Sequence, residues 1–423
     1  MKNIFQIKNS SVKKNFLSLS ILQISNYVFP LITLPYISRI FGPETYGLLN
    51  FATAFLSYFW LLVNYGFDLS ASREIAQNRN NHEKMQAIFN QVLFSKLFLF
   101  LISTIMFVIA LFAIEKVNNY STLYLIMFFG GVFNIFFPTW FFQGIEKLNL
   151  TAIFTFIIRL IFTLIIFILI KEKNDYILYP IATILGQILI SFISMYLILK
   201  DYMIKLKMPD FSEILNTLKT SKQVFFTTVV INLYTTTNFV ILGFLSGNFE
   251  VGVYTAAYKI VIIFMSIISA PLSQSIYPNI GYSFSLSYDI GISKIYKSLI
   301  FIIPLTLMPA FFMIFFPELI IKLIFGEGFL DSVLTLKLLS FIPLIIGLSN
   351  IFGIQGLLNL KKDNVVLIIT TLGALLGLIL NFVLVPMYRH NGTAVSWVIT
   401  EVFITTLMFF AFVKSTNFLS DIS

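Results

Sequence analysis

The chain has 423 residues, of which 58% are hydrophobic and 11% charged, with a formal net charge of +9 and no cysteine. A soluble domain carries about a quarter of its residues as charged groups, so the composition excludes an ordinary globular enzyme and reads as a polytopic membrane protein. No disulfide, thiolate nucleophile or thiolate metal site is possible, and two histidines, His82 and His390, are too few for a histidine cluster.

A helix needs about 20 apolar residues to cross about 30 Å of hydrocarbon. The sequence predicts twelve such spans, at about 16–38, 46–66, 87–114, 121–143, 150–170, 176–199, 223–245, 251–276, 297–317, 333–357, 364–386 and 393–413. The short alternating segments of a membrane barrel are absent. Lys2, Lys8, Lys13 and Lys14 precede the first apolar run. No small-residue cleavage site follows that run, which reads as a retained helix.

The first two spans are joined by residues 35–52, PYISRIFGPETYGLLNFA, where Gly42-Pro43 turns the chain. Residues 246–257, SGNFEVGVYTAA, echo it: Gly42, Gly47 and Ala52 pair with Gly247, Gly252 and Ala257 at an offset of 205. Gln143-Gly144 pairs with Gln355-Gly356 at an offset of 212, close to half the chain. The echoes predict two halves on one plan, residues 1–205 and 206–423, each a six-helix bundle. Residues 200–222, KDYMIKLKMPDFSEILNTLKTSK, form the longest stretch outside the spans and read as the linker between halves. No external loop is long enough for a folded domain, which weighs against an enzyme working at the outer face.

Prolines recur inside the spans, at Pro30, Pro35, Pro138, Pro271, Pro278, Pro304, Pro309 and Pro343. Each is a fixed kink or a bending point. Gly373 and Gly377 make a GxxxG in the eleventh span, a helix-packing motif. Asn232, Thr235, Thr236, Thr237 and Asn238 give the seventh span a polar stripe suited to helix–helix hydrogen bonds or to cavity lining. Tyr58, Trp60, Trp140 and Trp397 near span ends read as interface anchors.

Segments on the N-terminal side of the membrane hold eighteen of the 28 Lys and Arg, and the opposite loops hold seven. This places both termini in the cytoplasm and makes the positive charge a matter of topology, not of nucleic-acid binding. The remaining three, Lys96, Arg159 and Lys259, lie inside spans together with Glu401. At 1.5 Å per residue all four sit about 12–14 Å deep, where a charge costs about 2.5–3.5 kcal/mol. A hydrated cavity lined by three bases and one acid would be electropositive and would suit a phosphate or pyrophosphate. Snorkelling of the lysines, or pairing of a base with Glu401, is the competing reading. Arg39 at the outer end of the first span, and Asp68 and Arg73 after the second, are candidates for gating or coupling alongside Glu401. The chain carries no P-loop, HExxH or GxSxG, so the sequence gives no enzyme, cofactor or metal site.

The stretch LPYISRIFGPETYGLLNFATAFLSYFWLLVNYGFDLSASREIAQNR resembles the N-terminal signature of polysaccharide repeat-unit (O-antigen type) flippases of the multidrug/oligosaccharidyl-lipid/polysaccharide exporter superfamily. WFFQGIE from Trp140, VGVYTAAYK ending at Lys259, Tyr277-Pro278 and LIFGEGF from Leu323 resemble further family stretches in the same order. The resemblance implies two six-helix bundles around a central cavity. It also implies transport of undecaprenyl-pyrophosphate-linked oligosaccharide from the cytoplasmic to the outer leaflet, for O-antigen, lipopolysaccharide or capsule synthesis. It implies a bacterial cytoplasmic (inner) membrane protein whose partners are this lipid-linked substrate, membrane lipids, a polysaccharide polymerase and a chain-length regulator. Lys259, inside a matched stretch, is implied to meet the pyrophosphate; Lys96 and Arg159 rest on the depth argument. The alternatives are an ion-coupled organic-cation antiporter of the same superfamily, which would favour an acidic cavity, and a membrane polysaccharide polymerase, which would need a large external loop.

Overall fold

Lipid offers no hydrogen-bond partner, so an apolar chain of this kind must satisfy its backbone internally, and helices do this segment by segment. A computed structural model describes the backbone of residues 2–416, and the side chains of that stretch apart from 2–28, 30, 31, 148, 150, 234 and 267–278. Pro30, Pro271, Tyr277, Pro278 and the N-terminal lysines are outside the described side chains. Among the described residues the chain is all-helical, without strands. Among the described residues, nine helices are long and apolar enough to cross a membrane, or ten if the pair Phe211–Leu233 and Thr237–Ser246, bent by 44°, is one span. Phe112, Phe192 and Ile300 are each about 70% exposed, at 74%, 71% and 69%. Apolar side chains on the outside are what a lipid-facing surface requires.

The chain forms two compact units, Met1–Phe41 with Ala52–Val229, and Gly42–Phe51 with Val230–Ser423. In the first, Phe67, Ile75, Phe89, Trp140 and Phe141 form a buried core under the helices Phe67–Asn78 and His82–Ala113. In the second, Ile280, Ile351, Phe352, Ile404 and Phe412 do the same.

The repeat seen in the sequence has a backbone counterpart in the second unit. Gly42 has φ 66° and ψ 175°, and Gly247 has φ 97° and ψ 177°. This region is open almost only to glycine. Gly42 bends the Lys2–Asn64 helix, and Gly247 starts Asn248–Leu286. The two segments also interlock. A Cβ on Gly47 would lie 1.8 Å from the Asn248 carbonyl oxygen, and a Cβ on Gly252 would lie 2.0 Å from that of Pro43. Positions 43 and 248 are themselves a repeat pair, so the contact is reciprocal.

Several expectations change. The helix following the linker begins at Phe211, not near 223, leaving 201–210 as the non-helical stretch. The Glu213 carboxylate accepts from the Asp210 amide at 3.0 Å, and the Asp210 carbonyl accepts from the Glu213 amide, so the turn is capped early. Pro138 and Pro343 are helix starts, not kinks in continuous helices: Pro138 precedes Thr139–Gly144, and Pro343 opens Ile342–Asn350. Proline fits there because a first-turn N–H has no helical partner to lose. Trp140 and Trp397 are buried at 1% and 7% exposure, so they pack the bundle instead of anchoring at the interface. Gly373 and Gly377 face Ile404 and Thr400, close packing within the last hairpin.

Candidate functional site

The expected charged residues fall into distinct surroundings. In the first unit, Lys96 on His82–Ala113 is 3% exposed. Its Nζ lies 3.3 Å from Asn64 Oδ1 and 3.6 Å from Asp68 Oδ1. The structure thus joins two residues expected in different roles, a cavity base and a gating acid. Asp68 reaches Lys96 because Tyr65 and Gly66, with φ of 47° and 74°, turn the chain after the second apolar run. The turn is held by stacking of Tyr65 on Phe225 at 4.3 Å and by the Ser70–Ser221 hydroxyl pair at 2.9 Å. Arg73 and Arg39 are exposed.

Arg159 on Leu148–Leu169 opens on a cavity of about 360 Å³. Its polar lining is Thr33, Arg159, Thr163, Tyr179, Thr183 and Gln187; Phe29 and Phe162 supply aromatic faces. Among the described residues that line it, the only charged side chain is cationic.

In the second unit, Lys259 is half-buried and its Nζ stands 5.4 Å from the centre of the Tyr46 ring, within cation–π range. Tyr46 is held edge-on by Phe325 and Phe329 of the IFGEGF stretch. Glu401 is 2% exposed and accepts from Trp397 Nε1 at 3.1 Å. The polar stripe of the seventh span makes a helix–helix contact: Asn381 Nδ2 donates to Asn238 Oδ1 at 2.9 Å.

A sequence profile for the family described as "Polysaccharide biosynthesis protein" matches residues 12–284. The chain belongs to that family. Two relatives bear the name "Putative O-antigen transporter". The one from Escherichia coli (strain K12) is 30% identical over 400 residues, covering 94% of this chain and 96% of that protein. The one from Shigella dysenteriae is 29% identical over 406 residues, covering 94% and 99%. Among solved structures, an inward-facing multidrug resistance MATE transporter of the MOP superfamily matches with TM-score 0.76 at 14% identity, over 97% of this chain and 99% of that one. The lipid II flippase MurJ, inward closed, matches with TM-score 0.75 at 16% identity, over 95% and 89%. At these identities the likeness is one of fold, and the fold is the expected one.

In this family member, sequence reasoning missed a second charged cluster. Glu250, with its side chain 7% exposed, accepts from Arg389 Nη1 at 3.3 Å and bonds to His390 Nδ1. Asn391 Oδ1 accepts from Thr335 Oγ1 at 2.9 Å, and Ser332 Oγ donates to the Val253 carbonyl at 2.8 Å. These bonds tie the turn of the last hairpin to two other helices. The available signal was His390, one of two histidines, beside an arginine between two apolar runs.

Proposed function

We propose that this protein is a flippase for lipid-linked oligosaccharide, moving undecaprenyl-pyrophosphate-linked repeat units from the cytoplasmic to the outer leaflet of the bacterial inner membrane by alternating access. The observation that carries this reading is the Arg159 cavity: a cationic, hydroxyl-lined space among helices of otherwise apolar composition. A polar saccharide passing hydrocarbon needs such a space, and its anionic carrier group needs a base. The names of the relatives support the cargo class. An organic-cation antiporter would want a carboxylate there, and there is none among the described residues that line this cavity.

The reading takes the chain as two six-helix halves, 1–205 and 206–423. Asp363–Thr416 has 54 residues, about 81 Å of helix. That is more than twice the hydrocarbon thickness. Giving two crossings each to the helices bent at Gly42 and Arg389, and one to the pair meeting at Thr236, yields twelve. An even number puts both termini on one face, and the excess of Lys and Arg on that face makes it the cytoplasmic one. Arg159 and Lys259 serve the anionic cargo, Lys96 does so when it leaves Asp68, and Glu401, Arg39 and Arg73 serve coupling or gating. A polymerase and a chain-length regulator would act on the delivered units.

The test is deletion of the gene in a strain that tolerates loss of the polysaccharide, with extraction of lipid-linked sugars. Complete repeat units should accumulate, and surface polymer should vanish. Complementation with Arg159→Gln at equal protein level should restore transport at no more than about a tenth of the normal rate, a loss of about 1.4 kcal/mol. Normal surface polymer in the deletion strain would sink the proposal.

A further inference from the structure

The non-helical stretch 201–210 is laid along the start of His82–Ala113. His82 Nε2 donates to the Tyr202 carbonyl at 2.8 Å, Gln86 Oε1 accepts from the Lys205 amide at 2.9 Å, and Asn90 Nδ2 donates to the Lys205 carbonyl at 2.9 Å. A cavity of about 300 Å³ lies between stretch and helix. The charged side chains among its described lining residues are Glu83, Asp210 and Glu213 against one base, Lys207. Acids grouped on a surface are ordinarily just solvated. Asn90 sets this group apart: it is 4% exposed, it lines the cavity, and its Oδ1 has no hydrogen-bond partner among the described residues. A buried acceptor in that state is unfavourable until a donor reaches it. Three carboxylates and an unmet amide oxygen suit a cation that carries N–H donors, and Lys207 beside them suits an anion attached to that cation.

The level of the cavity in the membrane narrows the ligand. The span on this helix is expected to begin at about residue 87, and the lining residues Glu83 and Gln91 fall four residues to either side, about 6 Å each way. The cavity is therefore level with the headgroup layer. Its rim is apolar: Met208 lines it at 74% exposure, and Phe211, 57% exposed, packs on Phe98 of the same helix at 5.5 Å. Such side chains at that level are buried by acyl chains. We infer that this cavity binds the headgroup of a phospholipid of the phosphatidylethanolamine class, with the primary ammonium toward the carboxylates and Asn90, the phosphate toward Lys207 and the chains along Met208 and Phe211. A basic peptide would bring the donors but no phosphate for Lys207. Phosphatidylcholine has the same charges without an N–H, and phosphatidylglycerol has the phosphate without the cation. The site shares no lining residue with the Arg159 cavity and does not depend on the cargo.

The chain has no cysteine, so a single Ala87→Cys in the cavity lining reports occupancy by its rate of maleimide labelling. In the full-length protein in detergent, dioleoyl phosphatidylethanolamine should slow this labelling about tenfold more than the dioleoyl choline or glycerol lipid does. Lys84→Cys, outside the lining, should label at the same rate with every lipid. Adding Glu83→Gln and Asp210→Asn should remove the protection. Glycerophosphoethanolamine, which has no chains, should not protect at equal concentration. Equal protection by the choline or glycerol lipid, equal slowing at Lys84→Cys, protection that survives in the folded carboxamide variant, or protection by the chain-free headgroup would each overturn the assignment. If Ala87→Cys does not fold, native mass spectrometry of the unaltered protein decides: equal retention of the ethanolamine and choline lipids overturns it, and preferential retention of the ethanolamine lipid supports it.

Discussion

Gly47 and Gly252 are positions where a single added carbon would meet main chain at 2.0 Å or less, and backbone yields less readily than a side-chain tip. Alanine at Gly47 would place Cβ 1.8 Å from the Asn248 carbonyl oxygen, and at Gly252 2.0 Å from that of Pro43. Overpacking against movable side chains costs about 1–3 kcal/mol, and a main-chain carbonyl should put these two at or above about 3 kcal/mol. Each single alanine should therefore sharply lower the yield of monodisperse protein on detergent extraction. Gly328→Ala is the control, since its nearest neighbour would be Pro43 Cδ at 3.7 Å, an ordinary contact. Equal yields for all three would refute the interlock. The glycines were legible as a repeat because period and residue type survive in the sequence. Their mutual contact was not, because equal spacing states that two segments have like conformations and leaves open whether they touch. Lys96 shows the same limit. Its depth followed from helical rise, but its partner Asp68 depended on a left-handed turn at Tyr65 and Gly66 that hydropathy does not register.

The helix Asp363–Thr416 turns at Arg389, with φ 51° and ψ −130°. A side chain there costs about 1–3 kcal/mol of backbone strain. The Arg389 side chain is 71% exposed, so its ion pair with Glu250 contributes about 0–1 kcal/mol. Strain therefore outweighs the pair, and Arg389→Gly should be more heat-stable than Arg389→Ala by at least about 1 kcal/mol, since both lose the pair and only glycine relieves the strain. A thermal unfolding series on the purified variants reads this directly; an alanine variant as stable as the glycine one would remove strain from the account. The spans ending in the Gln-Gly echo show what hydropathy misses at this scale. Residues 121–144 are broken by a 3₁₀ stretch, Gly131–Phe136, and residues 332–358 end in a π-helical stretch, Ile351–Leu358. Both read as uninterrupted spans in the sequence, because composition records how apolar a segment is and carries no trace of its hydrogen-bond register.

At the scale of the whole chain, the proposed orientation rests on the number of crossings and, given that number, on the placement of Lys and Arg. An even number of crossings requires both termini on one face, and on the twelve-span reading the loops on that face hold eighteen of the 28 basic residues. Short cytoplasmic loops retain such residues because translocating them is unfavourable. The absence of native cysteine makes the orientation measurable without background. Lys84 and Lys362 are exposed next to helix starts assigned to the cytoplasmic face, while Lys173 and Glu327 are exposed in turns assigned to the other. Single cysteines at these four sites should divide cleanly toward a membrane-impermeant maleimide on cells whose outer barrier has been opened. Lys173→Cys and Glu327→Cys should label at once, and Lys84→Cys and Lys362→Cys only after the membrane is lysed. Labelling of Lys84→Cys with Glu327→Cys would mean that an odd number of crossings separates them from the others. The twelve-span reading would then fail between residues 84 and 327, where the pair Phe211–Leu233 and Thr237–Ser246 has been counted as one crossing.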